Sequence, residues 1–209
     1  WNNTITHSSN SSFTEIIGGG GGNTIEDTSM AFIGGGYGNT IDRNGSGGAS
    51  TYSFIGGGID NSINSHFNSF IGNGRNNTLF DGQRCIIVGG SNNYMRNVSD
   101  SFIGGGSNNY MRNASESFIG GGYNNTISGS SYSSIIAGQN NTLFDSNNSH
   151  IIGSSITSIS ANTTHVERLN IGTITTGSTA TDVLVRETNG MVNTVSLSTF
   201  TQQKRSEEH

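Results

Sequence analysis

Apolar residues recur along the chain with a period of 16 residues. The segments 91–106 (SNNYMRNVSDSFIGGG) and 107–122 (SNNYMRNASESFIGGG) differ at only two positions, which indicates a tandem duplication. In this register one apolar row contains Ile17, Ile33, Ile55, Ile71, Ile87, Ile103, Ile119, Ile135 and Ile151. A second row lies eight residues further on, at Ile25, Ile41, Ile63, Leu79, Met95, Met111, Ile127, Leu143 and Ile159. Two apolar residues half a period apart fill a flattened two-sheet coil, so the pattern predicts an all-β fold: a parallel β-solenoid (β-roll) of about nine rungs over residues 1–162.

Glycine and asparagine form two further columns with the same period. Glycine takes positive φ without steric cost, and asparagine tolerates the left-handed region, so both columns are interpreted as structural turn positions and not as a binding site. Stacked asparagines can also hydrogen-bond to one another along the axis. The glycine column contains Gly20, Gly36, Gly58, Gly74, Gly90, Gly106, Gly122 and Gly138. The asparagine column contains Asn23, Asn39, Asn61, Asn77, Asn93, Asn109, Asn125 and Asn141.

The residue before each member of the first apolar row is also large and apolar through most of the array. Neighbouring side chains of a strand point to opposite faces, so one residue of each pair should lie inside the solenoid and the other outside. The outer residues are Ile16, Phe32, Phe54, Phe70, Ile86, Phe102 and Phe118, followed by Ser134 and His150. An exposed apolar stripe marks an interface, and we expect this one to bind copies of the same chain in a homotrimer. The alternative is a bulge that turns both residues inward.

Two insertions and a distinct C-terminal segment interrupt the repeat. Six extra residues between Ile41 and Ile55, and four near His7 to Ser12, are predicted loops. WNNTI at the start aligns with YNNTI at 123–127, so the chain is expected to begin partway through a rung of a longer protein. Residues 163–200 form a separate closing module, in which DVLVRETNGMVNTVSL predicts a β-hairpin that turns at Asn189-Gly190. Residues 201–209 form a polar tail.

Composition argues against several classes of function. The 209 residues include 32 glycines, no proline and 11% charged residues, which suits a narrow repetitive core better than the broad core of an enzyme. The net charge of −5 and the scattered nine Lys and Arg residues provide no basic stripe, so nucleic acid is not an expected partner. No apolar run of about 18 residues predicts insertion into a membrane.

Candidate catalytic and metal-binding chemistry is sparse. The five histidines lack metal-ligand spacing, and the aspartates do not recur in the register of calcium-binding β-rolls. The single cysteine, Cys85, stands in a column filled mainly by serine and alanine. No carboxylate pair suits glycoside hydrolysis. We therefore expect no enzymatic activity, no metal and no cofactor in this chain.

Units of the form SFIGGGYNNTISG, over residues 1–160, resemble the glycine- and asparagine-rich head repeats of trimeric autotransporter adhesins and the similar repeats of phage and viral tail fibres. The segment VLVRETNGMVNTVSL is similar to the short β segment that precedes a self-cleaving intramolecular chaperone in tail fibres and spikes. The resemblance implies a left-handed parallel β-roll, packed as a trimer and used for attachment. The period of this chain is longer than that of most adhesin head repeats, so its strand and turn lengths should differ.

Three functions are compatible with these patterns. The leading expectation is a structural segment of an extracellular, cell-surface or virion fibre that attaches to a host or surface, with a host-surface glycan or receptor as a partner. An alternative is a subunit of a self-assembling extracellular β-solenoid filament. A third is an ice-binding solenoid, because hydroxyls recur at Thr24, Thr40, Ser62, Thr78, Thr126 and Thr142, although Tyr94 and Tyr110 interrupt that column.

Overall fold

The chain folds into short parallel β-strands that stack in two sheets. The computed structural model describes residues 2–7, 14–43 and 52–168, together with strands at 182–186 and 192–196. Residues 1–168 form one compact unit and residues 169–209 form a second. In the first unit each rung contributes one strand to each of two ten-stranded sheets, which confirms the predicted parallel β-solenoid. Ten strands spaced about 4.8 Å apart make this array about 43 Å long.

The strands of one sheet alternate along the chain with those of the other. The first sheet contains β1 (Thr4–Thr6), β3 (Thr24–Glu26), β5 (Thr40–Asp42), β7 (Ser62–Phe67), β9 (Thr78–Gln83), β11 (Tyr94–Arg96), β13 (Tyr110–Arg112), β15 (Thr126–Ser128), β17 (Thr142–Phe144) and β19 (Thr157–Ser158). The second sheet contains β2 (Ile16–Ile17), β4 (Phe32–Ile33), β6 (Phe54–Ile55), β8 (Phe70–Ile71), β10 (Ile86–Ile87), β12 (Phe102–Ile103), β14 (Phe118–Ile119), β16 (Ser134–Ile135), β18 (His150–Ile152) and β20 (Thr164–Val166).

The two predicted apolar rows form one buried core between the sheets. From Ile25 to Ile151 every member of both rows is fully buried, and Ile17 packs against them at the first strand of the second sheet. The rungs pair in the predicted 16-residue register, as at Met95 and Met111. Both insertions preserve this pairing, since Ile5 pairs with Ile25 and Phe32 with Phe54. The inserted residues 8–13 and 44–51 lie outside the described part of the chain.

The register shortens in the last rungs of the solenoid. Thr142 pairs with Thr157, a step of 15 residues, and His150 pairs with Thr164, a step of 14. The prediction that Ile159 continues the second apolar row is therefore wrong: Ile159 is 76% exposed, whereas Ser158 is buried beside Leu143. The last strand, β20, lies beyond residue 162, where the array was predicted to end.

Three polar side chains lie at that end of the interior. His165 pairs with Ile151 in the second sheet, and its Nε2 lies 2.8 Å from Ser158 Oγ and 3.0 Å from Thr163 Oγ1. The final rung therefore places His165 opposite Ile151 and Ser158 opposite Leu143. These two polar side chains satisfy each other by a hydrogen bond. Polar terminal rungs are the usual way in which a repeat array ends its apolar core.

The second unit contains two described strands. β21 (Asp182–Arg186) pairs in antiparallel register with β22 (Val192–Ser196), with Leu184 opposite Thr194. The predicted turn at Asn189-Gly190 and the polar tail at 201–209 lie outside the described residues, so the hairpin as a closing module stays a prediction.

Candidate functional site

The asparagine column forms a continuous hydrogen-bonded ladder in the interior. All eight predicted asparagines are completely buried. In Asn125, Nδ2 donates to Asn109 Oδ1 at 3.1 Å and to two glycine carbonyl oxygens at 2.9 and 3.0 Å. Its backbone N–H donates to the same Oδ1 at 3.1 Å. Asn3 adds one more rung, because Asn23 donates to Asn3 Oδ1 in the same way. Each amide therefore ties its rung to both neighbours.

The ladder asparagines do not adopt the left-handed conformation expected for them. Positive φ belongs to the column one residue earlier, which contains Gly22, Gly38, Asp60, Asn76, Asn92, Asn108, Asn124 and Asn140. The turn is made by this preceding residue, so the ladder asparagine is free to point its amide inward. The glycine column does have positive φ throughout, for example 90° at Gly90, where a Cβ would also collide with the carbonyl oxygen of Gly106.

A second buried ladder, which sequence reasoning missed, lies at the turn that leads into the second sheet. Ser117 Oγ accepts a hydrogen bond from the backbone N–H of Ser133 at 3.2 Å and donates to Ser130 O at 3.1 Å. Ser101 and Ser133 repeat this pattern with their own neighbours. The column contains Ala31, Ser53, Ser69, Cys85, Ser101, Ser117, Ser133, Ser149 and Thr163, so the polar ladder begins at Ser53. The solenoid is therefore held by a polar ladder at each of its two turns.

Cys85 occupies a rung of this serine ladder. Its Sγ lies 3.3 Å from Val98 O and 3.2 Å from Gln83 O, so the thiol donates where serine hydroxyls donate in other rungs. The residue is fully buried, and burial raises the pKa of the thiol to about 11. A thiol with that pKa is protonated at neutral pH and makes a poor nucleophile. Cys85 is therefore a structural residue.

His66 is the one histidine among the fully buried side chains of the described residues. Its Nδ1 lies 3.0 Å from Ser69 Oγ, and its ring fills the space beside Gly82 in the next rung, where a Cβ would come within 2.6 Å of the imidazole Cε1. Burial lowers the pKa of the imidazole to about 4, and the smaller effect of a hydrogen bond with the backbone of Phe80 raises it in part. His66 is therefore neutral near pH 7 and packs as a core residue.

The outer face of the second sheet presents the predicted apolar stripe, here called the phenylalanine column. It contains Ile16, Phe32, Phe54, Phe70, Ile86, Phe102 and Phe118. In every pair from β4 to β14 the second residue is fully buried while the first is partly or largely exposed, which excludes the alternative in which both turn inward. Exposure reaches 51% at Ile16 and 37% at Phe118.

The phenylalanine rings stack along the axis. Ring centroids are 4.9 Å apart between Phe32 and Phe54, and 5.4 Å apart between Phe102 and Phe118, with interplanar angles of 11° and 10°. Each ring lies over the glycine two residues further on; a Cβ at Gly120 would come within 3.1 Å of the Phe118 ring. Because these glycines have no side chain, the rings can lie against the sheet and form a continuous apolar surface.

The outer face of the first sheet is mostly polar, with aromatic residues in its middle rungs and at Phe144. Tyr94 and Tyr110 stand where neighbouring rungs have threonine, and their rings stack with centroids 5.5 Å apart and an interplanar angle of 4°. Arg96 and Arg112 lie beside them on the same face, in register with each other. Arg96 also lies over the ring of Phe80, with its guanidinium carbon 5.3 Å from the ring centroid. Tyr94, Arg96, Tyr110 and Arg112 are called the tyrosine–arginine platform below.

Clustered metal-binding groups do not occur in the part of the chain that the structure describes. No three His, Cys, Asp or Glu side chains there could share a metal ion. The same residues contain no helix long and apolar enough to cross a membrane. Comparison with models of known protein families finds no match, and comparison with curated proteins finds no similar sequence. The exposed phenylalanine column and the tyrosine–arginine platform make the outer faces of the two sheets the candidate functional surfaces.

Proposed function

We propose that this chain is a structural segment of an extracellular or virion fibre that mediates attachment to a host or to another surface. The observation that carries the proposal is the phenylalanine column, an uncharged apolar column over seven consecutive rungs of one outer face. The interior of the solenoid is already filled by its own isoleucine rows. A long apolar stripe outside a filled core suits lateral packing of one rod against another.

The partner in this proposal is the same chain, in a homotrimer. Copies that carry one apolar column each can turn these columns toward a common axis, which buries all of them in a closed cyclic arrangement. Val88, Ile136 and Ile152 are 47 to 48% exposed. They lie two residues after the outer residues Ile86, Ser134 and His150 of the second sheet, so they widen the apolar surface. The polar first sheet would then face outward and remain accessible to a host glycan or receptor.

The internal ladders support a mechanical role. Buried asparagine and serine side chains connect each rung to the next, in addition to the backbone hydrogen bonds of two parallel sheets. Separating one rung from the next would break several of these hydrogen bonds. Such an array suits a rigid spacer that holds other surfaces at a distance.

Ice binding is the weaker alternative on the same evidence. The threonine column does lie on the outer face of the first sheet. The neighbouring outward column contains Glu26, Asp42, Arg96 and Arg112, and the two tyrosines project from the threonine column itself. This face is therefore charged and uneven, whereas an ice-binding face should be flat and regular.

Analytical ultracentrifugation tests the proposed assembly. The wild-type chain of 21.9 kDa should sediment as a trimer. The double variant Phe54→Ser/Phe102→Ser should sediment as a monomer because it removes two rings of the proposed interface. Serine should be tolerated in this column, since Ser134 occupies it naturally. The matched control is Tyr37→Ser/Tyr123→Ser, which removes two exposed aromatic rings from a different column and should leave the trimer intact. A wild-type chain that stays monomeric at micromolar concentration contradicts the proposal. Binding of the trimer to a glycan array or to cells then tests attachment.

A further inference from the structure

We infer that the tyrosine–arginine platform is a binding site for an acidic glycan, meaning a polysaccharide that carries sulfate or carboxylate groups. This inference rests on the proposed attachment function and assigns that function a contact site and a ligand chemistry. The platform occupies the outer face of β11 and β13, on the sheet opposite the phenylalanine column. It would therefore remain accessible when copies of the chain pack through the second sheet.

Two unpaired cations lie side by side in the platform. Arg96 and Arg112 are exposed and occupy matching positions in adjacent strands, about 4.8 Å apart along the axis. Within the described residues neither forms an ion pair; the guanidinium that does so is that of Arg84, with Asp100. Like charges directly opposite each other destabilise a sheet. One bridging anion would remove this repulsion and accept hydrogen bonds from both guanidinium groups.

The left-handed residue that follows each of the two arginines is neutral, whereas three other rungs have an aspartate there. The left-handed column next to this face contains Asp27, Asp81 and Asp145 in other rungs, but Asn97 and Asn113 stand beside the two arginines. Those two asparagines hydrogen-bond to each other at 3.2 Å and add no charge. Glu26 and Asp42 share the arginine column but lie three or more rungs away, about 14 Å or further. Asp81, which lies one rung before Arg96 and two before Arg112, is the nearest carboxylate in these columns. Two guanidinium groups near one carboxylate leave a net positive charge at the platform, although the chain has a net charge of −5.

The tyrosines complete a surface suited to a sugar. Because the two rings stack on each other along the axis, they present their edges and hydroxyl groups to solvent. Aromatic ring edges are electropositive, and phenol groups donate hydrogen bonds, so both favour an anion or a sugar oxygen. Residues two apart in a strand are separated by about 7 Å, so a tyrosine and an arginine of one strand can contact neighbouring groups of one oligosaccharide. The platform contains no aliphatic side chain that would enter a lipid bilayer, and two arginines are few for a nucleic-acid backbone.

Binding measured by isothermal titration calorimetry tests this site on the whole chain. The probe is a sulfated glycosaminoglycan oligosaccharide, with its desulfated counterpart as a reference. The wild-type chain should bind the sulfated form, and the double variant Arg96→Gln/Arg112→Gln should lose about tenfold in affinity for each arginine. Arg75→Gln, which removes an exposed arginine from another column, is the matched control and should bind as wild type. Tyr94→Thr/Tyr110→Thr restores the residue of neighbouring rungs and should also weaken binding. Circular dichroism verifies that each variant is folded.

Other results overturn the inference in distinguishable ways. An equal loss in Arg75→Gln would mean that binding follows total charge and not this site. Binding to vesicles with anionic lipid or to single-stranded DNA, without binding to the oligosaccharide, would refute the ligand class. If a trimeric wild type and a trimeric Arg96→Gln/Arg112→Gln variant attach equally well to a glycan-bearing surface, the site is wrong and the attachment function stands. If the wild type is a monomer that attaches to no surface, the proposed function itself fails.

Discussion

Replacing Asn109 with alanine should destabilise the solenoid far more than a typical surface substitution. Asn109 Nδ2 donates to Gly105 O at 2.8 Å and to Gly122 O at 3.1 Å. Its Oδ1 accepts from the backbone N–H and from Nδ2 of Asn125, both at 3.1 Å. The substitution removes all four bonds and leaves the buried N–H of Asn125 without its acceptor. The bond from the Asn109 backbone N–H to Asn93 Oδ1 remains.

The expected cost is about 5 kcal/mol in the free energy of unfolding. Each lost hydrogen bond contributes about 1 kcal/mol, and the stranded N–H adds a desolvation cost of a similar size. The small cavity left by the amide makes this figure a lower bound. Asn108→Gly is the matched control, because Asn108 is the neighbouring residue, has a φ of 57°, and stands in a column that already contains glycine at position 38. The control should change stability by less than about 0.5 kcal/mol.

Urea denaturation followed by circular dichroism measures the difference, with chain concentration held constant because association contributes to stability. Hydrogen exchange then shows which rungs lose stability, since repeat arrays do not always unfold as a single unit. In Asn109→Ala, the exchange rates of the amides of residues 93–125 should increase the most relative to the wild-type chain. A loss below about 1 kcal/mol, or one equal to that of Asn108→Gly, would refute the view that the ladder carries stability.

Further predictions concern the core, the turns and the thiol. Burial lowers the pKa of His66 to about 4 from an ordinary value of 6.5, so between these values the folded state binds fewer protons than the unfolded state. The free energy of unfolding should therefore fall by roughly 3 kcal/mol between pH 7 and pH 4. Urea titrations of His66→Gln should show a shallower decline over the same pH range. Gly90→Ala, at φ 90° and against Gly106 O, should lower the melting temperature by well over 10 °C in thermal scans, whereas Gly89→Ala beside it meets ordinary contacts and should change it little. Glu116→Gly should stabilise the fold by about 1 kcal/mol in urea, because Glu116 has a φ of 51°, and a loss of stability would contradict that reasoning. Cys85 should react with iodoacetamide only after denaturation, since it is buried and its pKa is raised to about 11.

The repeat architecture could be predicted because every rung repeats one pattern. A buried isoleucine row with an outer phenylalanine beside it follows from strand geometry alone, and positive φ at the glycine column follows from the absence of a Cβ. The exact backbone role of asparagine could not be predicted in this way. Asn108 and Asn109 are adjacent and chemically identical, yet one makes the turn and the other forms the ladder.

Other features depended on the three-dimensional contacts. Met30, Tyr52, Arg84 and Glu116 have positive φ although these residue types do not favour it. The neighbouring rungs, which repeat the same turn, impose the conformation. A fixed period also could not anticipate the shorter last rungs, which put Ser158 inside in place of Ile159. The serine ladder did leave a signal in the sequence, since serine recurs every 16 residues from 101 to 149.

The arginines of the platform illustrate the same limit. Their positions could be placed on the outer face from the 16-residue register. The structure adds that the residues following the arginines, which are neutral, are the ones with positive φ. It also adds that the two tyrosine rings stack on each other, which depends on the side-chain conformations.

A cryo-electron microscopy map of the isolated chain tests the central claim most directly. We predict rods in which three solenoids, each with rungs about 4.8 Å apart, pack with their phenylalanine columns turned toward a shared axis and the first sheet outward. Single solenoids with the phenylalanine column facing solvent, or rods that pack through the first sheet, would contradict the account.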